Sequence, residues 1–406
     1  MNLAERVRAL PGMSELLPAL EGLAPAHLVG GAVRDLLRGA DSVDIDIAVE
    51  GDALSLAGTV AERLGGEVRV HERFGTATVT APEVVADLAT TRRERYERPG
   101  ALPEVEPASL AEDLGRRDFT INAMAVGLSD ADLGELHDPH GGQRDLDAGV
   151  VRILHARSFV DDPTRILRAL RYEARLGMRM DRETEDLARS AAAEGALETV
   201  SGPRIRDELM DLLREVEAPN ALERMRELGI DRTLHPALRA DSELAAAASL
   251  GAAETGADRG LAALAALLSH APEDLAPWVE GLGLTAGERD AVMAAARQAP
   301  GLVRSLRAEP PDSALHALLH CEPRETLALA LALGAPAEPI LRYIADLRGV
   351  RLEVTGHDLL EAGIPASPAL GRALAETLRR KLDGEVSGRE EELAVALEIA
   401  RSEVGE

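Results

Sequence analysis

His27-Leu28-Val29-Gly30-Gly31-Ala32-Val33-Arg34-Asp35, followed closely by Val43-Asp44-Ile45-Asp46-Ile47, decides how this chain is read. The first run predicts an apolar strand, a glycine turn and a helix over 33–38; the second predicts a strand over 43–49. Alternate residues of a strand share a face, so Asp44 and Asp46 point one way and Ile45 and Ile47 the other. Two neighbouring carboxylates repel each other and add nothing to a sheet. A hard divalent cation between them reverses the sign, because Mg²⁺ takes oxygen ligands and brings compensating charge. Gly30 and Gly31 let backbone N–H groups approach a phosphate at the helix N-terminus, and Arg34 in the first turn can grip a phosphate oxygen. Alone, each feature is also an ordinary element, a solvated strand face or a tight bend. Together they describe a site for a nucleoside triphosphate and Mg²⁺. Asp87, in Val84-Val85-Ala86-Asp87-Leu88, is a candidate third carboxylate or simply the end of a strand.

Outward from this centre, β-rich runs recur at 27–30, 67–71, 76–80 and 84–88, so a mixed α/β head is expected over 1–150. The proline-rich, charged segment 92–107 reads as a mobile loop. Beyond it nearly every stretch has helical spacing. A strong helix is expected over 163–177, capped by Asp161 or Asp162, with others over 203–217 and through the Ala/Leu-rich 243–268. The fold class is therefore an α/β head followed by an all-α neck (151–220), body (221–348) and tail (349–406). No fixed-period repeat is present.

Composition fits this division. Of 406 residues, 46% are hydrophobic and 29% charged, which supports packed cores and excludes a disordered chain. Aromatics are 2%, so cores must be built from Ala, Leu and Val, favouring closely packed helices over a β-sandwich. The single cysteine, Cys321, forms no internal disulfide and has no partners spaced for zinc. With no basic-then-apolar leader and no apolar run near the ~20 residues that span a bilayer, a soluble, cytoplasmic protein without membrane contact is expected. Lys+Arg 45 against Asp+Glu 71 gives a net charge of −26, opposite to a typical nucleic-acid binder. Any such surface must be local and built from arginine, because Lys381 is the single lysine.

Two further motifs carry a resemblance: Glu112-Asp113-Leu114-Gly115-Arg116-Arg117-Asp118-Phe119-Thr120-Ile121-Asn122-Ala123 and Phe159-Val160-Asp161-Asp162-Pro163-Thr164-Arg165-Ile166-Leu167-Arg168-Ala169-Leu170-Arg171. With the glycine turn and the paired aspartates, they resemble the class II tRNA nucleotidyltransferases, the CCA-adding enzymes, and the related bacterial poly(A) polymerases. The likeness runs in order over about residues 27–215 and is looser beyond. It implies that Asp44 and Asp46 are the catalytic, metal-binding carboxylates. It implies that Gly30, Gly31 and Arg34 contact the triphosphate, that Arg117 binds nucleotide, and that Asp162 and Arg165 read the incoming base. Arg168 and Arg171 are implied as further nucleotide contacts. Many relatives carry Glu where Asp161 stands; the neighbouring Asp162 and its spacing to Arg165 are intact.

The chemistry of the Asp162/Arg165 pair fits independently. Residues three apart lie on one helix face. Cytosine offers an amino donor beside N3 and adenine an amino donor beside N1, so a carboxylate next to a guanidinium suits both. Uracil and guanine present the reverse pattern. An ordinary helix start would use the same residues as cap and ion pair. Arg168, Arg171, Arg175 and Arg179 continue as a stripe, expected to meet a triphosphate and then RNA. The resemblance thus implies template-independent nucleotidyl transfer from CTP and ATP to a tRNA 3′ end, with Mg²⁺ as cofactor. Members of the family that add only CC lack a flexible loop between the head motifs, which 96–107 supplies here, so addition of CCA or of its terminal A is expected. A poly(A) polymerase is the nearest alternative, although relatives of that kind tend to end in a basic extension and this chain ends in acidic helix. A non-catalytic helical RNA-binding protein is the alternative of another class. His357-Asp358 prompts a metal-dependent phosphohydrolase, but the further ligands that chemistry needs are not at suitable spacing nearby, and the pair reads as a structural turn.

Overall fold

Strand runs and glycine turns build a seven-stranded sheet in the computed structural model, which describes residues 3–40, 44–71 and 75–404. Val43, expected to open the aspartate strand, lies outside the described residues. Two helices, α1 (Ala4–Arg8) and α2 (Met13–Leu20), lead into β1 (Ala26–Val29) and α3 (Gly31–Arg38). Then come β2 (Ile45–Val49), α4 (Ala53–Leu64), β3 (Glu67–His71), β4 (Thr76–Ala81) and β5 (Val84–Thr90). The spatial order is β3-β4-β5-β2-β1-β8-β9, with β8 (Ala125–Gly127) and β9 (Leu136–His137) completing one edge. Within this sheet, among the described residues, only β2 and β5 pair in parallel. The period of two sorts the faces: Ile45, Ile47, Val49, Ala77, Val79, Ala86 and Leu88 are buried on the side that α4 covers. The opposite face carries the polar residues. There α5 (Leu110–Gly115), begun by a Ser109/Glu112 capping box, shields Val29, Ala48 and Ala125.

The segment expected as a mobile loop is regular at both ends. β6 (Arg92–Arg95) pairs antiparallel with β7 (Glu104–Pro107), and Arg93 meets Glu106 across the hairpin at 2.6 Å. The sequence hid this ladder because its strands alternate charges rather than apolar residues. Its tip is pinned: Gly100 N–H donates to the Asp161 carbonyl at 3.3 Å, and Arg204 donates to the Gly100 carbonyl at 2.9 Å.

Short α6 (Gly142–Asp147), β10 (Val150–Val151) and α7 (Ser158–Asp161) precede the long helix α8 (Thr164–Leu176), which ends at Gly177 with φ +68°. β11 (Arg179–Met180), α9 (Arg182–Ala193), α10 (Gly202–Arg214), α11 (Ala218–Glu227) and α12 (Ile230–Leu234) follow. The apolar face of α8 (Ile166, Leu167, Leu170) is buried where α10 and α11 pack against it. By packing, the chain divides into two units, Met1–Leu234 and His235–Glu406. The second is all helix. The Ala/Leu-rich stretch expected to run helically over 243–268 is two helices, Ser242–Thr255 and Arg259–Leu268, broken at Gly256 with φ +70° and restarted by an Asp258 cap. Thr355 and Asp358 form a capping box for Gly356–Glu361, so Asp358 serves as a cap. Among the described residues no helix is long and apolar enough to cross a membrane.

Candidate active site

The parallel pairing of β2 and β5 puts Asp46 directly opposite Asp87, and the next pairing puts Thr78 of β4 opposite Asp87. Thr78 Oγ1 donates to Asp87 Oδ1 at 2.5 Å. Asp44 stands one residue ahead of β2, close enough to act electrostatically on Asp46. The third carboxylate is thus on the same face as the first two. Burial in the recess, then the charge of Asp87, push the Asp46 carboxyl up to about 6; Asp44 adds to this and Arg117 opposes it. Three crowded acids that hold a proton this tightly are short of positive charge, which is what a hard divalent cation supplies.

Gly30 follows β1 with φ +69° and ψ −133°, a region open in practice only to glycine. A Cβ there would lie 2.7 Å from Arg117 Nη1, so the glycine lets this guanidinium approach the turn. Arg117 Nη2 is held by Asp113 at 2.9 Å, while its Nε has no protein partner among the described residues. The neighbouring Arg116 is bound to Asp113 (2.8 Å) and Glu94 (2.6 Å). Arg34, expected to grip a phosphate, is buried and already engaged. It donates to Asp35 at 2.7 Å and to Asn122 at 2.7 Å, and it lies 5.3 Å from the Tyr172 ring centre. It forms the floor of the cleft.

Asp162 and Arg165 are brought together with these groups. Asp162 Oδ1 accepts from the Thr164 N–H (3.2 Å), the Thr164 hydroxyl (2.7 Å) and Arg204 Nη2 (2.7 Å). Its second oxygen has no protein partner among the described residues. Arg165 donates to Ser158 at 2.7 Å and to the Arg116 carbonyl at 2.9 Å, tying α8 to the head. Two recesses result. One, of about 350 Å³, holds Asp46, Asp87 and Thr78; the other, of about 460 Å³, holds Gly30, Gly31, Asp162, Arg165 and Tyr172. Asp46, Arg116 and Arg117 line both, so they form one cleft.

The arginine stripe is mostly something else. Arg168 reaches the cleft, fixed by buried Asp118 at 2.8 Å. Arg171 instead pairs with Asp211 at 3.0 Å and Glu208 at 3.4 Å, and Arg175 faces Glu215 at 3.7 Å. Glu208 and Asp211 sit on α10 and Glu215 caps its end, at matching spacing, so much of the stripe is an interhelical ladder. Arg179 is in β11, beyond the helix. Asn122, Tyr172 and Tyr96 also line the cleft and escaped the sequence reading. Tyr172 could have been found four residues past Arg168 on the same helix face; Asn122 lies inside the quoted 112–123 motif.

The comparisons with known proteins give the family. Residues 26–152 match the Poly A polymerase head domain, and residues 177–241 match the family described as "Probable RNA and SrmB- binding site of polymerase A". An A-adding tRNA nucleotidyltransferase of Halalkalibacterium halodurans is 34% identical over 92% of this chain and 88% of its own length. The chain belongs to the class II tRNA nucleotidyltransferase family. The A-adding enzyme of Geobacter sulfurreducens is 37% identical over 93% of this chain, which spans only 45% of that relative. A CC-adding enzyme of Deinococcus radiodurans is 35% identical over 90% of this chain and 87% of its own. A solved CCA-adding enzyme in an apo form superposes with TM-score 0.82 at 32% identity, covering 98% of this chain and 99% of the other. The matched relatives are named as tRNA nucleotidyltransferases.

Proposed function

We propose that this enzyme transfers AMP, alone or after two CMP units, from nucleoside triphosphates to the 3′ end of tRNA. The observation that supports this best is the single cleft in which Asp46 and Asp87 stand at one end and Asp162 with Arg165 at the other, joined through Arg117. A terminal hydroxyl displaces pyrophosphate at the α-phosphorus of the bound nucleotide. Asp44, Asp46 and Asp87 would hold Mg²⁺, which when bound supplies Lewis acidity to the hydroxyl and neutralises the leaving pyrophosphate. The chain's own groups do the rest. The Gly30–Gly31 turn and the Arg117 guanidinium take the triphosphate, with Asp113 fixing the guanidinium. The open oxygen of Asp162 accepts from the base amino group, and Arg165 donates to the adjacent ring nitrogen. Tyr172, 5.6 Å edge-on to Phe119, and Arg34 keep the floor rigid. Arg168 completes the cleft wall, while Arg171 positions α8 against α10.

A-addition, with or without CC, is favoured over CC alone because the hairpin 92–107 is present and its tip is docked on α7 and α10. We assign 1–150 as head, 151–220 as neck, 221–348 as body and 349–406 as tail, the body running across the division between the two units after Leu234, and we place the protein in the cytoplasm. Three RNAs test the reading: a tRNA lacking its CCA end, a tRNA ending in CC, and an unrelated RNA, each with CTP and ATP. AMP added once to the CC-ended tRNA is expected. Extension of the unrelated RNA by many A residues would make it a poly(A) polymerase. Normal turnover by Asp46→Ala would refute the carboxylate assignment.

A further inference from the structure

On the polar face of the sheet, past the helix α5, β1 pairs His27 with Gly127 of β8, and β8 in turn pairs Ala125 with His137 of β9. The period of two therefore puts both histidines on one face. Gly127 leaves the space between them open: a Cβ there would sit 2.4 Å from Asp132 Oδ2, so the Asp132 carboxylate folds over the glycine. Asp132 Oδ2 lies 3.8 Å from His27 Nδ1 and 3.8 Å from His137 Nε2. His27 is 3% exposed, its Nδ1 and the Nε2 of His137 have no hydrogen-bond partner among the described residues, and all three ligand atoms lie within 4.8 Å of one another. On its other side His27 Nε2 faces Glu50 Oε1 at 3.2 Å.

In the neutral imidazole that contact places the proton on Nε2. With the proton on Nε2 donating to Glu50, Nδ1 keeps its lone pair and points it at a carboxylate oxygen that also faces the second imidazole. With the His137 proton on Nδ1, three acceptors converge with no hydrogen between them. A cation resolves the conflict, and the 3.8 Å spacings are close to the ~3.3 Å that separates two ligands on a tetrahedral ion with bonds of about 2.0–2.1 Å. A carboxylate behind a ligating histidine is the usual arrangement around such ions. The structure assigns His27, Asp132 and His137 as a binding site for a borderline transition-metal dication, Zn²⁺ by preference, separate from the carboxylates Asp44, Asp46 and Asp87. Two nitrogens and one carboxylate select against Mg²⁺. The bound ion ties β1 to the β8–β9 edge, and Glu50, whose Oε2 accepts from the Leu110 N–H at 3.3 Å, links it to the start of α5.

Calorimetric titration of the chelator-stripped full chain with ZnCl₂ tests this. One Zn²⁺ per chain is expected at this site, counted in the double variant Asp44→Ala/Asp46→Ala, which removes the carboxylate site, and unchanged when Cys321→Ser is added to it. Affinity should fall at least tenfold in His137→Ala and in Asp132→Asn, both partly exposed positions whose folding is checked by melting curves. In the native protein, bound Co²⁺ should give the visible bands of a four- or five-coordinate nitrogen and oxygen site without thiolate charge transfer. The proposal fails if the native chain takes up no Zn²⁺ at micromolar concentration, which would mean His27 carries a proton between its two carboxylates. It also fails if His137→Ala binds at full strength, or if the ion leaves with Asp44 and Asp46.

Discussion

Asp162→Asn separates the capping role of Asp162 from base recognition. Three donors converge on one oxygen of Asp162: the Thr164 N–H, the Thr164 hydroxyl and Arg204. The same donors hold the amide oxygen of an asparagine, so its NH₂ must turn into the cleft. The group that meets the base amino then changes from acceptor to donor. One hydrogen bond is lost and two donors face each other, at about 1–3 kcal/mol. At 1.4 kcal/mol per decade that is about a 5- to 150-fold fall in kcat/KM for ATP. GTP and UTP, whose corresponding atoms are a carbonyl and a ring N–H, gain on the same edge. Single-turnover incorporation of each of the four nucleotides on a CC-ended tRNA measures this, with a melting curve to confirm that the cap survives. An Asp162→Asn protein that still takes ATP at the native rate and still rejects GTP and UTP refutes the base-reading role.

Four further outcomes follow from the structure. The Asp46 carboxyl, held up to about 6 by burial and then by Asp87, keeps its proton more tightly in the metal-free fold than in the unfolded chain. Its stabilising contribution is therefore full below about 3.8 and lost as pH rises through about 6. Asp46→Asn should abolish nucleotide addition yet melt higher than the native metal-free protein above that pH, with the gap closing in acid; a lower melting point would contradict the repulsion. Gly30→Ala forces a strained backbone and pushes Arg117 Nη1 from its place, costing about 1–3 kcal/mol and raising KM for ATP. Gly58→Ala, in open space on α4, should instead gain about 0.5–1 kcal/mol by urea titration. Asp358, kept down at about 2 by its Thr355 cap bonds and then by Arg389, stabilises the second unit above about 3.8 and less as pH falls towards 2. Asp358→Ala should lower the melting temperature at neutral pH with little effect at the acid end.

Where the sequence was legible, one period dominated. The strands at 45–49, 67–71, 76–81 and 84–90 alternate or run apolar, and all five expected strands are present. Asp87 could not be assigned from sequence because its role depends on the register of β5 against β2, a long-range pairing. β8 and β9 escaped because three- and two-residue strands carry no period. The hairpin 92–107 escaped because its pairing is Arg against Glu. Arg34 was legible as an arginine in the right turn but not as a consumed one: its neighbours Asp35 and Asn122 are 1 and 88 residues away in the chain.

The charge puzzle resolves at the level of pairs. Seven arginines and four acids line the larger recess of a chain whose net charge is −26. Most of those arginines are held by an acid within the fold: Arg34 by Asp35, Arg116 by Asp113 and Glu94, Arg168 by Asp118. A buried guanidinium so paired contributes little free charge, but its position is fixed to within a hydrogen bond, and its remaining N–H groups point in set directions. The cleft therefore recognises its ligand by geometry more than by bulk potential. That is the arrangement the proposed function requires of the cleft, since ATP, CTP, GTP and UTP carry the same triphosphate and the accepted pair differs from the rejected pair in which base atoms donate and which accept.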